Sequence, residues 1–249
     1  MSLSSRFLVP EETPPEHRVP ERHRAVQGGA ARAAVFGVSD GLVTNVSLIV
    51  GIAGAHPTAD AVRLVGLAGL VAGACSMAIG EYVSMRAQRE LLEHEIDKER
   101  REIQRFPEAE RSELAGIYQS RGIEHDLAHR LASAVMSDEE LAVETHAREE
   151  LGINHGSLGS AVSAAASSFF TFALGAAVPL VPWLVASGTA AVIATLVTAG
   201  LLAIAVGAAL GIFSGRSPAR SALRQLALSA VAAAIAFGVG SAAGGAGIR

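Results

Sequence analysis

The sequence predicts an all-α, polytopic membrane protein of five transmembrane helices, with a three-helix cytosolic insert after the second. Three observations predict it. Of 249 residues, 50% are hydrophobic and 18% charged, and mean hydropathy is +0.38, more apolar than a soluble domain of this length requires for its core. Charge is also segregated. Residues 156–215 and 225–248 contain no Asp, Glu, Lys or Arg, whereas residues 81–150 hold most of the acids. Finally, residues 65–103 start as lipid-soluble text (VGLAGLVAGACSMAIG) and end as RAQRELLEHEIDKERREIQR with no helix breaker between. At ~1.5 Å per residue a continuous helix of that length runs about 60 Å. A hydrocarbon core takes about 30 Å, and its backbone must be satisfied internally.

The same composition limits the function classes. A net charge of −4 leaves no nucleic-acid footprint. The single cysteine, Cys75, excludes an intramolecular disulfide and a CxxC metal site. The first thirty or so residues are rich in Pro, Glu and Arg, so no secretory signal is evident and the first span serves as its own address.

In chain order, residues 1–24, with Pro10, Pro14, Pro15 and Pro20, read as a disordered tail. Residues 25–54 form a hydrophobic helix interrupted by Asp40, and His56-Pro57-Thr58 makes a turn into the long second helix. Spans one and two together occupy residues 25–88. Phe106-Pro107 ends the long helix, because proline cannot continue the ladder and restricts the residue before it. The insert, residues 89–154, comprises the end of that helix, then 108–121, then 124–151 with a break near Ser137-Asp138. Leu114, Ile117 and Tyr118, and likewise Leu127, Leu131 and Val135, recur at helical spacing and predict apolar stripes for mutual packing. Ser137 with Glu140 reads as a capping box, and Gly152 and Asn154 as the stop.

Residues 155–249 carry three further spans, 157–181, 184–213 and 219–239, with a turn at Pro179/Pro182 between the first two. Their small-residue runs suit close helix packing. Five spans put the chain ends on opposite sides. Arg18, Arg22, Arg24 and Arg32 flank span one, Arg86 and Arg89 follow span two, and Arg216, Arg220 and Arg224 lie between spans four and five, whereas the opposite loops hold only Arg63. The positive-inside rule then makes the N-terminus and the insert cytoplasmic.

Two constellations carry the chemistry. Asp40 lies inside span one, and Met77, Glu81 and Met85 are each one turn apart in span two. A carboxylate at membrane depth costs on the order of 3 kcal/mol and marks an ion path or a partner. Carboxylates with thioethers suit Fe(II) or Mn(II) better than Na⁺ or Mg²⁺. Thr44 and Ser47 extend a polar wall from Asp40. An interfacial Glu81, and an Asp40 that merely pairs with Arg32 or Arg86, are the plainer alternatives. In the insert, Glu95, Glu99 and Glu102 form one column, Glu110 and Glu113 an i, i+3 pair, and His146 and Glu150 an i, i+4 pair. A cation shared among helices would offset their repulsion. A solvated face laced with salt bridges to Lys98, Arg100, Arg101 and Arg105 reads the same spacing equally well. No Glu-x-x-His motif of the di-iron oxidase type occurs.

The segments GVSDGLVTN, AGACSMAIGEYVSMRAQRE, the Glu-rich insert ending in EELGI, and SGRSPARSALRQ, in that order, resemble the vacuolar iron transporter family, over roughly residues 28–241. The resemblance implies a dimer of five-span protomers with the ion path at the dimer interface. Fe(II), and often Mn(II), would leave the cytosol in exchange for protons, with the metal as substrate and bound ion and no prosthetic group. By position it makes Asp40 and Met77 intramembrane ligands and Glu99, Glu102, Glu110, Glu113 and Glu150 cytosolic ones. The chain departs from the pattern in three places. His146-Ala147 stands where plant members carry Met-Met, Gly69 where some carry an acid, and Glu81 where some carry Gly. The Ala- and Arg-rich composition points to a bacterial host and its cell membrane. A membrane-anchored iron-binding or oxidase module without transport is the rival function.

Overall fold

The computed structural model describes residues 29–150, Gly152 and 159–246, with side chains from residue 33 onward; the N-terminal tail, the Arg32 side chain and Asn154 lie outside what is described. The described residues form eight helices: α1 (Gly29–Gly54), α2 (Ala59–Arg105), α3 (Pro107–Ser120), α4 (His125–Val135), α5 (Glu139–Glu149), α6 (Ala161–Val185), α7 (Gly188–Phe213) and α8 (Pro218–Gly245). Five of them, α1, α2, α6, α7 and α8, are long and apolar enough to cross a membrane.

α2 begins six residues earlier than its apolar run predicts. The Thr58 hydroxyl accepts from the Ala61 amide, and Asp60 sits in the first turn, where a negative charge suits the helix dipole. The 47-residue helix then continues unbroken from apolar to charged sequence.

α1 and α6 form the centre of the bundle. They approach so closely that a Cβ on Gly41 would stand 2.1 Å from the Phe172 carbonyl oxygen, and one on Gly175 would stand 2.2 Å from that of Val38. The Gly-rich text of the first span is therefore a helix-packing surface. Asn45 locks the pair by donating from Nδ2 to the Ala176 carbonyl at 2.6 Å. α2 packs on this pair through Gly73, which meets the Phe172 ring, and Gly66, which meets Leu180 and Ile49. α8 lies against α1 where Gly240 meets the Gly51 backbone, and against α7 where Gly207 and Gly211 meet Ala222 and Pro218.

Proline does not end span three. Pro179 and Pro182 lie inside α6, and the break falls at Ala186 and Ser187. Neighbouring helices take up carbonyls along this stretch: Thr195 Oγ1 donates to the Pro179 carbonyl at 3.0 Å, and Arg63 Nε donates to the Trp183 carbonyl at 2.6 Å. These bonds tie α6 to its neighbours, and packed spanning helices tolerate interior proline.

Two details of the insert also differ from expectation. Asp138, not Ser137, caps α5 by accepting from the Leu141 amide at 3.0 Å; the Ser137 hydroxyl turns back to the Ala134 carbonyl. On α4 the buried stripe is Ala128 and Ala132, while Leu127 and Leu131 face outward, because α3 approaches through Leu114 and Ala115 closely enough to require small partners.

Candidate metal centre

Three helices converge on one acidic point. Glu99 lies one turn before Ile103 on α2, and Ile103 packs with Ala142 and Val143 of α5. That contact turns Glu99 inward, where it is 6% exposed. Glu110 follows the Phe106-Pro107 corner in the first turn of α3. His146 is fully buried on α5, and Glu150 caps the C-terminus of the same helix, one turn on. Outer contacts fix the approach: Arg100 spans Glu140 with bonds of 2.5 and 3.2 Å, Gln104 donates to Glu139 at 2.7 Å, and Arg121 pairs with Glu149.

Glu99, Glu110, His146 and Glu150 each offer one ligand atom, all within 4.8 Å of one another. The His146 ring is oriented by backbone carbonyls, with Nδ1 2.9 Å from that of Ala142. Nε2 then turns toward α3, 4.0 Å from Glu110 Oε2 and 3.3 Å from the Glu110 carbonyl. A histidine ring held by a carbonyl at one nitrogen, with the other turned to carboxylates, has the arrangement of a metal ligand.

Convergence and burial, more than pairing alone, separate this cluster from the insert's other acids, several of which, such as Glu95 and Glu113, also lack an Arg or Lys partner among the described residues. Glu90, Glu93, Glu102, Glu108, Glu139, Glu140, Glu144 and Glu149 all pair with Arg or Lys. Among the described residues, Glu99, Glu110 and Glu150 have no such partner, and Glu99 Oε1 is buried without a hydrogen bond. Burial first, and then the charge of Glu150, push the Glu99 carboxyl up to about 7, against an opposing pull from His146. Glu110 and Glu150 are likewise raised, by burial first and then by the charge of Glu113. Glu99 and Glu110 are buried and Glu150 stands exposed at the rim; like charges gathered in this way call for a cation or a proton.

Of the remaining insert acids, Glu102 and Glu113 stand close enough for their charges to be felt at Glu110 and Glu150. Glu102 also meets Lys98 at 3.8 Å. Glu95, one turn before Glu99, is not among the converging residues.

Within the bundle, Asp40 is half-buried and accepts a long hydrogen bond of 3.4 Å from Thr44 Oγ1. Arg86 turns to Glu90 at 3.1 Å. Met77 packs with Phe172 and its alanine neighbours, and Glu81 is half-buried one turn further along α2. The Ser47 hydroxyl is buried without a hydrogen bond, as is Asn45 Oδ1. Two polar residues here escaped the spacing argument. Asn45 lies in the GVSDGLVTN segment, and Gln225, in SALRQ, donates to Ser39 beside Asp40 at 2.7 Å. An amide in an otherwise apolar span was the available signal for both.

Fold and site together define a class, an all-α integral membrane protein whose second spanning helix extends into a carboxylate-rich helical module. The chain belongs to the VIT family, whose profile matches residues 31–241. It is 29% identical to vacuolar iron transporter 1 of Eucalyptus grandis over 91% of this chain and 93% of that protein. It is 31% identical to vacuolar iron transporter 1 of Arabidopsis thaliana, over 84% of each chain. It is 35% identical to the vacuolar iron transporter of Acanthamoeba castellanii, over 88% of this chain and 82% of that one.

Proposed function

We propose that the protein carries Fe(II), and also Mn(II), across a membrane out of the cytosol in exchange for protons, with the insert gathering the ion first. The observation that carries this reading is the convergence of Glu99, Glu110, His146 and Glu150, three carboxylates without basic partners beside an oriented imidazole, in a chain whose relatives are named iron transporters. Three carboxylates and one imidazole form a donor set of intermediate hardness, matched to Fe(II) and Mn(II).

Asp40 and Met77 form the membrane ligands in this reading, and Glu81 joins the path. Met77 and Glu99 lie 22 residues apart on one unbroken helix, a separation of about 33 Å. The two positions therefore act as successive sites, capture and then translocation. Arginine placement supports a cytosolic insert. Composition supports a bacterial cell membrane, and the family resemblance supports a homodimer.

Reconstitution tests the function. Vesicles containing the protein should take up Fe(II) when the opposite face is acidic, with proton movement in the reverse direction. Oxygen consumption on adding Fe(II), without metal flux, would instead favour an anchored iron-binding or oxidase module.

A further inference from the structure

A second charged site stands apart from the acidic cluster. The turn between α7 and α8 carries Arg216, and the first two turns of α8 carry Arg220 and Arg224. Gly215, at φ 64°, folds the chain back so that the Arg216 amide reaches the Gly211 carbonyl at 2.9 Å. Ser217, Arg220, Ser221 and Arg224 follow at spacings of three and four, which place them on one helix face. With Arg216 they line a cleft of about 460 Å³.

Three features set this cleft apart from arginines that only fix topology. Among the described residues none of the three guanidiniums has a carboxylate partner, whereas Arg86, Arg89, Arg100, Arg111, Arg121 and Arg148 all do. Ser221 lines the cleft at only 5% exposure, and its hydroxyl makes no hydrogen bond among the described residues. Beside the cleft, Leu223, Leu228 and Val231 are 57–66% exposed on an apolar spanning helix. A phosphate needs converging donors, and a phospholipid also needs an apolar wall for its chains; both are present.

Helix packing fixes the position of the cleft. Gly211 meets Pro218 at this end of α8, while Gly244 meets Ala55 at the other, beside the turn between α1 and α2. The arginine cleft therefore lies at the end of the bundle from which α2 projects into the insert. We propose that Arg216, Arg220, Arg224 and Ser221 form a binding site for a phosphate-bearing anion, filled by the headgroup of an anionic phospholipid or by free phosphate.

The test uses full-length protein reconstituted in phosphatidylcholine–phosphatidylglycerol vesicles, extracted in detergent, and examined by native mass spectrometry for retained phosphatidylglycerol. Wild type should retain it. Each arginine removed should weaken retention by about fivefold, so Arg220→Gln with Arg224→Gln should lose it, while Arg130→Gln in the insert should not. Arg220→Lys with Arg224→Lys keeps the charge that directs insertion but removes the two-pronged donors. It should fall between the two, and it decides the matter if the glutamine variant fails to insert. Wild type stabilised by inorganic phosphate in phosphatidylcholine alone, with no preference for phosphatidylglycerol, would support the same site filled from solution. Equal retention by wild type and the lysine variant, or equal loss in Arg130→Gln, would overturn the site.

Discussion

His146 Nε2 stands 4.0 Å from Glu110 Oε2, with the ring's other nitrogen bound to the Ala142 carbonyl. The backbone of α5 thus aims the imidazole at α3, where Glu110 sits, and the sequence separation of 36 residues is closed only by the fold. Replacing His146 with Ala removes an oriented nitrogen donor. Isothermal titration of the full-length protein with Mn(II) should show affinity reduced by at least roughly tenfold.

Glu99 gives a prediction of opposite sign for stability and for binding. Its carboxyl is raised to about 7, so between its ordinary value of 4.5 and 7 the folded state holds a proton that the unfolded chain has released. Metal-free protein should therefore lose stability as pH rises through that window. Glu99→Gln should make the metal-free protein more stable than wild type at pH 8, while weakening metal binding. Thermal unfolding with and without Mn(II) measures both effects.

On the proposed function, the same carboxyls would set the pH dependence of capture. At the proposed site protons and metal would compete for Glu99, Glu110 and Glu150, all raised by burial first. Mn(II) affinity should rise with pH through about 7, with protons released on binding. Affinity that stayed flat from pH 6 to pH 8 would place the metal elsewhere.

Packing at Asp40's neighbour gives a stability prediction. A methyl group on Gly41 meets the Phe172 carbonyl oxygen at 2.1 Å, and backbone cannot move aside as a side chain can. Gly41→Ala should destabilise the detergent-solubilised protein by about 1–3 kcal/mol and lower its unfolding temperature. An unchanged unfolding temperature would mean that α1 and α6 are not so closely packed.

The spans were legible because segregation of charge is a property of composition, and the unbroken course of α2 followed from the missing breaker before Pro107. The prolines of α6 were misleading. A proline that would break an isolated helix is carried inside α6, where packing against neighbouring helices, invisible in the sequence, holds the helix through it. The spacing of Glu95, Glu99 and Glu102 was equally legible but ambiguous, since a salt-bridged face and a shared cation site use the same repeat. Tertiary approach separates them: Arg100 reaches Glu140 across 40 residues, and Lys98 reaches Glu102 within its own helix, leaving Glu99 without a basic partner. Pairing at that distance is invisible to periodicity.

On the proposed function, capture at the insert and passage through the bundle are separate events. Metal–proton exchange in vesicles, measured beside equilibrium Mn(II) binding for Asp40→Asn and Met77→Ala, tests it most directly. Flux should fall at least roughly tenfold in both variants, while binding at the insert stays at the wild-type level. Undiminished flux in either variant would contradict that residue's place in the path, and undiminished flux in both would contradict the two-site claim.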